Sequence, residues 1–159
     1  MLIGATLAAA ALVPATARTA AGGSDLPFSA TMAGTGSVSL VTGQAHNELS
    51  ANASHFGLSR LEEFSQIVPV SPGTFLSIGR LTLTAANGDS LTGTASGTGT
   101  TADGVHFTFA LHVVLGNGTG RLAGSSLAYD VTVHSTTVGV QGTTATNALE
   151  ATASGSFNR

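Results

Sequence analysis

The sequence predicts an all-β fold, a single eight-stranded antiparallel β-barrel after an N-terminal signal peptide. Eight runs rich in β-forming residues are separated by turn signals, at the regular spacing typical of a barrel or sandwich. Hydrophobic and polar residues alternate within several runs, as in strands with one buried face. Closure of eight such strands removes the exposed edges that a Thr- and Val-rich sheet offers to other chains.

The strands are predicted in chain order from these runs and the turns between them. The run over residues 58–64 also matches one helical turn, and we favour strand or irregular structure there. The eight predicted strands lie near residues 28–41, 44–56, 57–68, 75–86, 90–98, 105–115, 125–135 and 146–157.

Alternation identifies the faces that point inward. The fourth, sixth and seventh runs place large apolar residues on one face, so these are candidates for the barrel interior and for ligand binding. Leu76 and Ile78 fall on the other parity, which predicts a β-bulge at Gly79. The interior candidates are Leu81, Leu83, Phe107, Phe109, Leu111, Tyr129 and Val131.

Two glycine-rich segments predict tight turns, because glycine adopts positive φ without steric cost. In the first, Asp89 is expected to cap the turn with its own side chain. In the second, the guanidinium of Arg121 is expected to hold loop carbonyls or a carboxylate. The turn-motif residues are Asn87, Gly88, Asp89, Gly118, Gly120, Arg121 and Gly124.

Composition excludes several classes of function. The 159 residues suggest one domain, with a net charge of −3 and no lysine. Nucleic acid is therefore not expected as a partner. The chain has no cysteine, which excludes disulfides and thiol chemistry. The histidine spacing forms no metal motif, so we expect neither a metal nor a cofactor.

The first residues resemble an export signal. Residues 2–13 are apolar but too short to span a bilayer, and residues 15–17 supply an A-x-A cleavage site. We predict a signal peptide over 1–17, with cleavage as late as 21, a linker over 18–26 and a barrel domain over 27–159. The expected location is secreted or periplasmic, with no membrane span after cleavage. The absence of a basic residue before Arg18 is atypical, and a buried hydrophobic helix is the alternative.

The turn motifs resemble a known family. Ala86–Gly93 followed by Gly116–Gly124 is similar to the "NGD-x-LTG … GGTGRFAGATG" pattern of secreted bacterial proteins of the allene oxide cyclase barrel-like family, which are related in shape to plant dirigent proteins. Ala53–Gly57 resembles the "THLG" of the same proteins. The sequence departs from the pattern at Gly116-Asn117, where a paired glycine is usual, and at Ser125-Ser126.

The resemblance implies an eight-stranded antiparallel barrel with a central cavity, often oligomeric. Characterised relatives bind apolar small molecules and steer cyclisation or radical coupling, whereas the secreted bacterial branch has no established activity. None of the cyclase pocket residues aligns with a position of this chain, so no catalytic role is transferred.

Three polar residues are catalytic candidates. His55 lies in a matched motif and could act as an acid or base, although fixing a turn is its simpler role. Glu62 and Glu63 are adjacent, so on a strand they point to opposite faces. A carboxyl group that points into an apolar barrel would have a raised pKa, as a general acid or base requires.

Three functions stay open at this point. The first is a secreted barrel that binds an apolar or amphipathic small molecule, with a homo-oligomer as a further expectation. The second is a cyclase- or isomerase-like enzyme, and the third is a structural, surface-associated domain with a solid core. A cavity of ligand size would separate the first two from the third. A buried ionisable group in that cavity would favour the enzyme.

Overall fold

The structure is a computed structural model that describes residues 25–159, so the predicted signal peptide and most of the linker lie outside the described residues. Eight strands form one sheet, and a 3₁₀ turn at Gly120–Leu122 interrupts the connection between the sixth and seventh. The strands are β1 (Asp25–Ser39), β2 (Gln44–Ala53), β3 (Gly57–Ser71), β4 (Thr74–Ala85), β5 (Ser90–Thr101), β6 (His106–Gly116), β7 (Ser126–Gln141) and β8 (Thr144–Asn158).

The sheet is a closed antiparallel barrel in which each strand pairs with the next in the chain. β1 closes the barrel against β8 in unbroken register, from the pair Asp25–Asn158 to the pair Ser39–Thr144. The predicted fold class is therefore confirmed, and residues 58–64 belong to a strand. Within the described range, no helix is long and apolar enough to cross a membrane.

The bulge predicted at Gly79 is wrong. Gly79 pairs directly with Ser65 in β3 and with Ala95 in β5, and neither ladder shifts there. Leu76 and Ile78 simply face outward, and the side chain of Ile78 is exposed. The irregularities in register lie instead between Pro69 and Ser71 in β3, and between Thr137 and Gly139 in β7.

One end of the barrel, which we call the closed end, is filled by large side chains. It lies at the β2–β3, β4–β5 and β6–β7 turns. Phe56 packs edge-on against Phe28 and Phe157, with ring centroids 6.1 and 5.0 Å apart, and Phe28 contacts Tyr129 at 5.2 Å. The residues with almost no exposed surface lie around this cluster and are Leu91, Val113, Leu115 and Leu127.

The other end, the open end, lies at the β1–β2, β3–β4, β5–β6 and β7–β8 turns. Its inward positions carry small or polar residues where the closed end carries Leu and Phe. Because these side chains are too short to meet across the barrel, the interior is not filled there. The small or polar inward residues of the open half include Gly36, Ala45, Asn47, Ser65, Ser77, Gly79, Gly99, Ser135, Ala145 and Asn147.

Candidate functional site

The unfilled half of the barrel is a cavity of about 560 Å³ that opens at the open end. Residues from seven strands line it, together with the β1–β2 turn and Gly104 of the β5–β6 turn. Leu111 and Leu149, which are buried, separate it from the packed core below.

One wall of the cavity is aromatic. The ring centroids of Phe75 in β4 and Phe107 in β6 lie 5.8 Å apart. Those of Phe107 and Phe109 lie 6.4 Å apart, and these two rings are nearly parallel. Gly99 of β5 is the cross-strand partner of Phe109, and a Cβ atom at Gly99 would collide with the Phe109 ring. The glycine therefore allows the ring to lie flat along the wall.

A row of polar side chains crosses another part of the wall. Cross-strand pairing places Glu63 of β3 beside Asn47 of β2, Asn47 beside Gly36 of β1, and Gly36 beside Asn147 of β8. Asn147 pairs in turn with Thr137 of β7, whose hydroxyl donates a hydrogen bond of 3.0 Å to the side-chain Oδ1 atom of Asn147. A Cβ atom at Gly36 would collide with the Asn47 amide, so glycine makes the space that this amide occupies.

Glu63 is the ionisable side chain of this cavity wall, and only 7% of its surface is exposed. The Asn47 amide donates a hydrogen bond of 2.9 Å to its Oε2 atom. A Cβ atom at Gly79 would lie 3.0 Å from Oε1, so the glycine provides room for the carboxylate. Burial raises the pKa of Glu63, and hydrogen bonds from Asn47 and Ser65 oppose that rise only in part.

The packed core begins next to this carboxyl group. Glu63 is paired with Leu81 across the β3–β4 ladder. The pKa of Tyr129 is raised first by burial and then by the negative charge of Glu63, so the phenol stays neutral. The site thus combines a buried acid, a polar row and an aromatic wall in a cavity open at one end.

The predicted interior residues divide between the cavity and the core. Phe107, Phe109 and Leu111 line the cavity. The other four are buried in the packed core and contribute to the barrel's stability from there: Leu81, Leu83, Tyr129 and Val131.

The other two catalytic candidates lie outside the cavity. His55 is in the β2–β3 turn at the closed end with a positive φ of 67°, and its Nε2 atom lies 2.8 Å from the Pro27 carbonyl oxygen. Its ring stacks on Phe157, with centroids 5.7 Å apart. Glu62 faces the outer surface, opposite to its neighbour Glu63, and its Oε1 atom lies 3.1 Å from Nε2 of His46.

A surface cluster, not indicated by spacing in the sequence, forms around Glu62. Candidate ligand atoms of His46, Glu48 and Glu62 lie within 4.8 Å of one another, an arrangement that could hold a cation. Arg60 donates a hydrogen bond of 2.8 Å to Glu48, and His46 pairs with Glu62. Glu48 and Glu62 therefore already have hydrogen-bond partners within the chain, Arg60 and His46.

Asp89 joins the two predicted turn motifs. Its Oδ2 atom accepts hydrogen bonds from the Asn87 amide at 2.7 Å and from the main-chain N–H of Arg121 at 3.0 Å. The main chain of Arg121, rather than its guanidinium, makes this contact. Gly88, Gly120 and Gly124 have positive φ, as expected for turn glycines. The motif residues thus form the closed end and do not line the cavity.

Asn47, Ser65, Ser77, Ser135 and Asn147 are the site residues that the sequence did not reveal. Each occupies an inward position of its strand, and each lies in the half that faces the cavity. Small or polar residues at inward parity, clustered at the same end of neighbouring strands, are the signal that could have identified them.

The fold and the site together define a class of protein, a small eight-stranded antiparallel β-barrel with one packed end and one open, two-faced cavity. Comparisons of the chain with protein-family models, curated proteins and solved structures find no match. The family resemblance of the turn motifs is accordingly supported only in its implied barrel architecture.

Proposed function

We propose that this chain is an exported barrel of the allene oxide cyclase barrel-like type that binds an apolar or amphipathic small molecule. The cavity at the open end carries the proposal. Its volume of about 560 Å³ lies within the range of about 300–1,000 Å³ typical of small-molecule sites. An aromatic wall facing a few placed polar groups is the usual lining of such sites.

The rim of the cavity supports an apolar ligand. Aliphatic side chains are exposed around the mouth, and among the four turns there only the β5–β6 turn carries a charged residue, Asp103. An apolar molecule therefore reaches the cavity without crossing a ring of charges. The exposed aliphatic residues of the rim are Leu40, Val41, Val68, Val70, Val105, Val138 and Val140.

Blocking the cavity tests this function. Ser135 is buried on the cavity wall, whereas Thr132 on the same strand is exposed on the outer face. We expect the full chain to bind the neutral fluorophore N-phenyl-1-naphthylamine, Ser135→Phe to lose that binding, and the control Thr132→Phe to retain it. Native mass spectrometry on the same samples checks that one molecule enters each barrel. Equal binding by both variants, or no uptake of neutral apolar molecules by the wild type, would contradict the proposal.

Glu63 favours isomerase- or cyclase-like chemistry as a second candidate function. A buried carboxyl group with a raised pKa beside an apolar cavity can exchange a proton with a bound substrate. On any substrate found, we expect Glu63→Gln to bind it but not to turn it over. Glu62→Gln and His55→Ala change residues outside the cavity, and we expect both to keep their turnover. Full turnover by Glu63→Gln would remove this candidate.

A further inference from the structure

We infer that the cavity selects apolar molecules that carry a protonated amine, and that the Glu63 carboxylate binds this amine. The inference rests on the proposed binding function and specifies the chemistry of its ligand.

The charges around the cavity are the first argument. Among the residues described, Glu63 is the ionisable group of the lining, and no arginine or histidine reaches it. The chain has no lysine, and the arginines of the described range are exposed. Without a counter-charge a buried carboxyl group is costly to ionise, so a cationic ligand stabilises the charged form of Glu63. An anionic ligand would instead bring a like charge to the carboxylate.

The second argument is the way in which the protein holds the carboxylate. The Asn47 amide donates to Oε2 and fixes the orientation of the group, while Gly36 and Gly79 provide space for the two side chains. A carboxylate accepts about four hydrogen bonds, so the two donors Asn47 and Ser65 leave acceptor capacity for an ammonium group. Asn47 thus prepares Glu63 as an acceptor without neutralising it.

The aromatic wall is the third argument. The rings of Phe75, Phe107 and Phe109 offer flat apolar surface for the body of the ligand. Aromatic faces also attract cations, and this attraction is strongest where water is excluded. An apolar amine can therefore interact with both the Glu63 carboxylate and the aromatic wall, whereas a fatty acid fits the aromatic wall alone.

Protonation of Glu63 links binding to pH. Burial raises the pKa of this carboxyl group, and a bound ammonium lowers it again, so binding releases protons at any pH at which the free carboxyl group is protonated. The other titratable groups near Glu63 do not compensate for this change. Tyr129 stays neutral in the core, while His46, Glu62 and Arg80 lie on the outer faces of β2, β3 and β4.

A matched series of probes tests the inference on the full chain. We would measure binding of 4-phenylbutylamine, 4-phenylbutan-1-ol and 4-phenylbutanoic acid by calorimetry, in buffers of different ionisation enthalpy. We expect the amine to bind at least about tenfold more tightly than the acid, the scale of one charge-assisted hydrogen bond. Protons should be released wherever the free Glu63 carboxyl group is protonated. Glu63→Gln should abolish this preference, and the adjacent surface variant Glu62→Gln should keep it.

The outcomes separate this inference from the function on which it rests. If the alcohol and the acid bind as tightly as the amine, the amine preference is overturned while the binding barrel stands. An amine affinity unchanged in Glu63→Gln has the same meaning. If wild-type protein binds none of the three probes, both the inference and the proposed function fail.

Discussion

The two ends of this barrel are built on the same strands with the same alternation, yet one end is solid and the other is hollow. At the closed end the inward positions carry residues such as Phe28, Phe157 and Leu115, which belong to one buried hydrophobic cluster. At the open end the equivalent positions carry residues such as Ser77 and Gly99. Side-chain volume at inward positions therefore decides where an eight-stranded barrel is filled.

The difference also separates stability from function. The aromatic cluster of the closed end buries most of its surface, and such pairs contribute about 0.5–1.5 kcal/mol each beyond burial alone. The open end lacks that packing and contains the buried carboxyl group of Glu63. We therefore expect the closed end to dominate the free energy of unfolding and the open end to dominate binding.

The largest expected effect is at the closed end. Phe157 is almost completely buried against Phe56, so Phe157→Ala should lower the free energy of unfolding by about 3–5 kcal/mol. Phe107, which is half-buried in the cavity wall, is the matched position at the open end. Phe107→Ala should lower the free energy of unfolding clearly less than Phe157→Ala does. Urea unfolding of both variants measures the difference. Equal losses would mean that the two ends contribute alike and that the comparison is wrong.

The next effect concerns the turns of the closed end. Asp89→Ala removes the acceptor for the Asn87 side chain and for the main-chain N–H of Arg121. We expect it to lower the free energy of unfolding by about 1 kcal/mol. Hydrogen exchange should speed up in both turn motifs, because Asp89 joins them.

Asp103 is the counterpart of Asp89 at the open end. Hydrogen bonds from the main chain and ring of His106 and from the Val105 N–H hold its pKa well below the usual range. All of these donors lie within three residues of Asp103. Asp103→Ala should therefore speed exchange in that turn alone, and a change spread beyond it would contradict the comparison.

A smaller effect, which depends on pH, is expected at Glu63. Burial puts its pKa in the folded state above its unfolded value, so the folded state binds the proton more tightly. The wild type should lose stability as pH rises from the unfolded pKa towards the folded pKa. Glu63→Gln has no such titration and should be the more stable protein at higher pH.

Urea unfolding from about pH 4 to about pH 8 measures this difference. A difference between wild type and Glu63→Gln that stays constant with pH would show that the carboxyl group is not perturbed by the cavity.

The smallest effect on the free energy of unfolding is expected at Glu62, the neighbour of Glu63. Glu62 pairs with His46 on the outer surface, where ion pairs contribute about 0–1 kcal/mol. Glu62→Gln should change the free energy of unfolding by about 0.5 kcal/mol or less. A loss as large as that of Phe157→Ala would place an important contact on the outer wall rather than in the interior.

Much of the fold could be predicted from local patterns. The eight strands, their antiparallel order and the positions of the turns follow from alternation and from turn residues such as Asn87 and Gly88, because these signals act over a few neighbouring residues. The opposite orientations of Glu62 and Glu63 follow in the same way. The bulge predicted at Gly79 was wrong because glycine there provides space for the Glu63 side chain from a neighbouring strand.

The candidate site was harder to predict from the sequence. Glu63 was one of three catalytic candidates, but its partner Asn47 and the polar row that continues to Asn147 and Thr137 depend on register between five strands. Register joins residues as far apart in the chain as Gly36 and Asn147, and local patterns carry no information about such pairs.

The sequence by itself determined the period of two, the turns and the inward faces, since each depends on backbone preferences and side-chain polarity within a few residues. Only the tertiary structure decided which inward residues share a level of the barrel. The closed end is solid because its large side chains meet there, and the open end is hollow because its small ones do. Closure of the sheet sets those levels, because pairing of β1 with β8 fixes the register around the whole barrel.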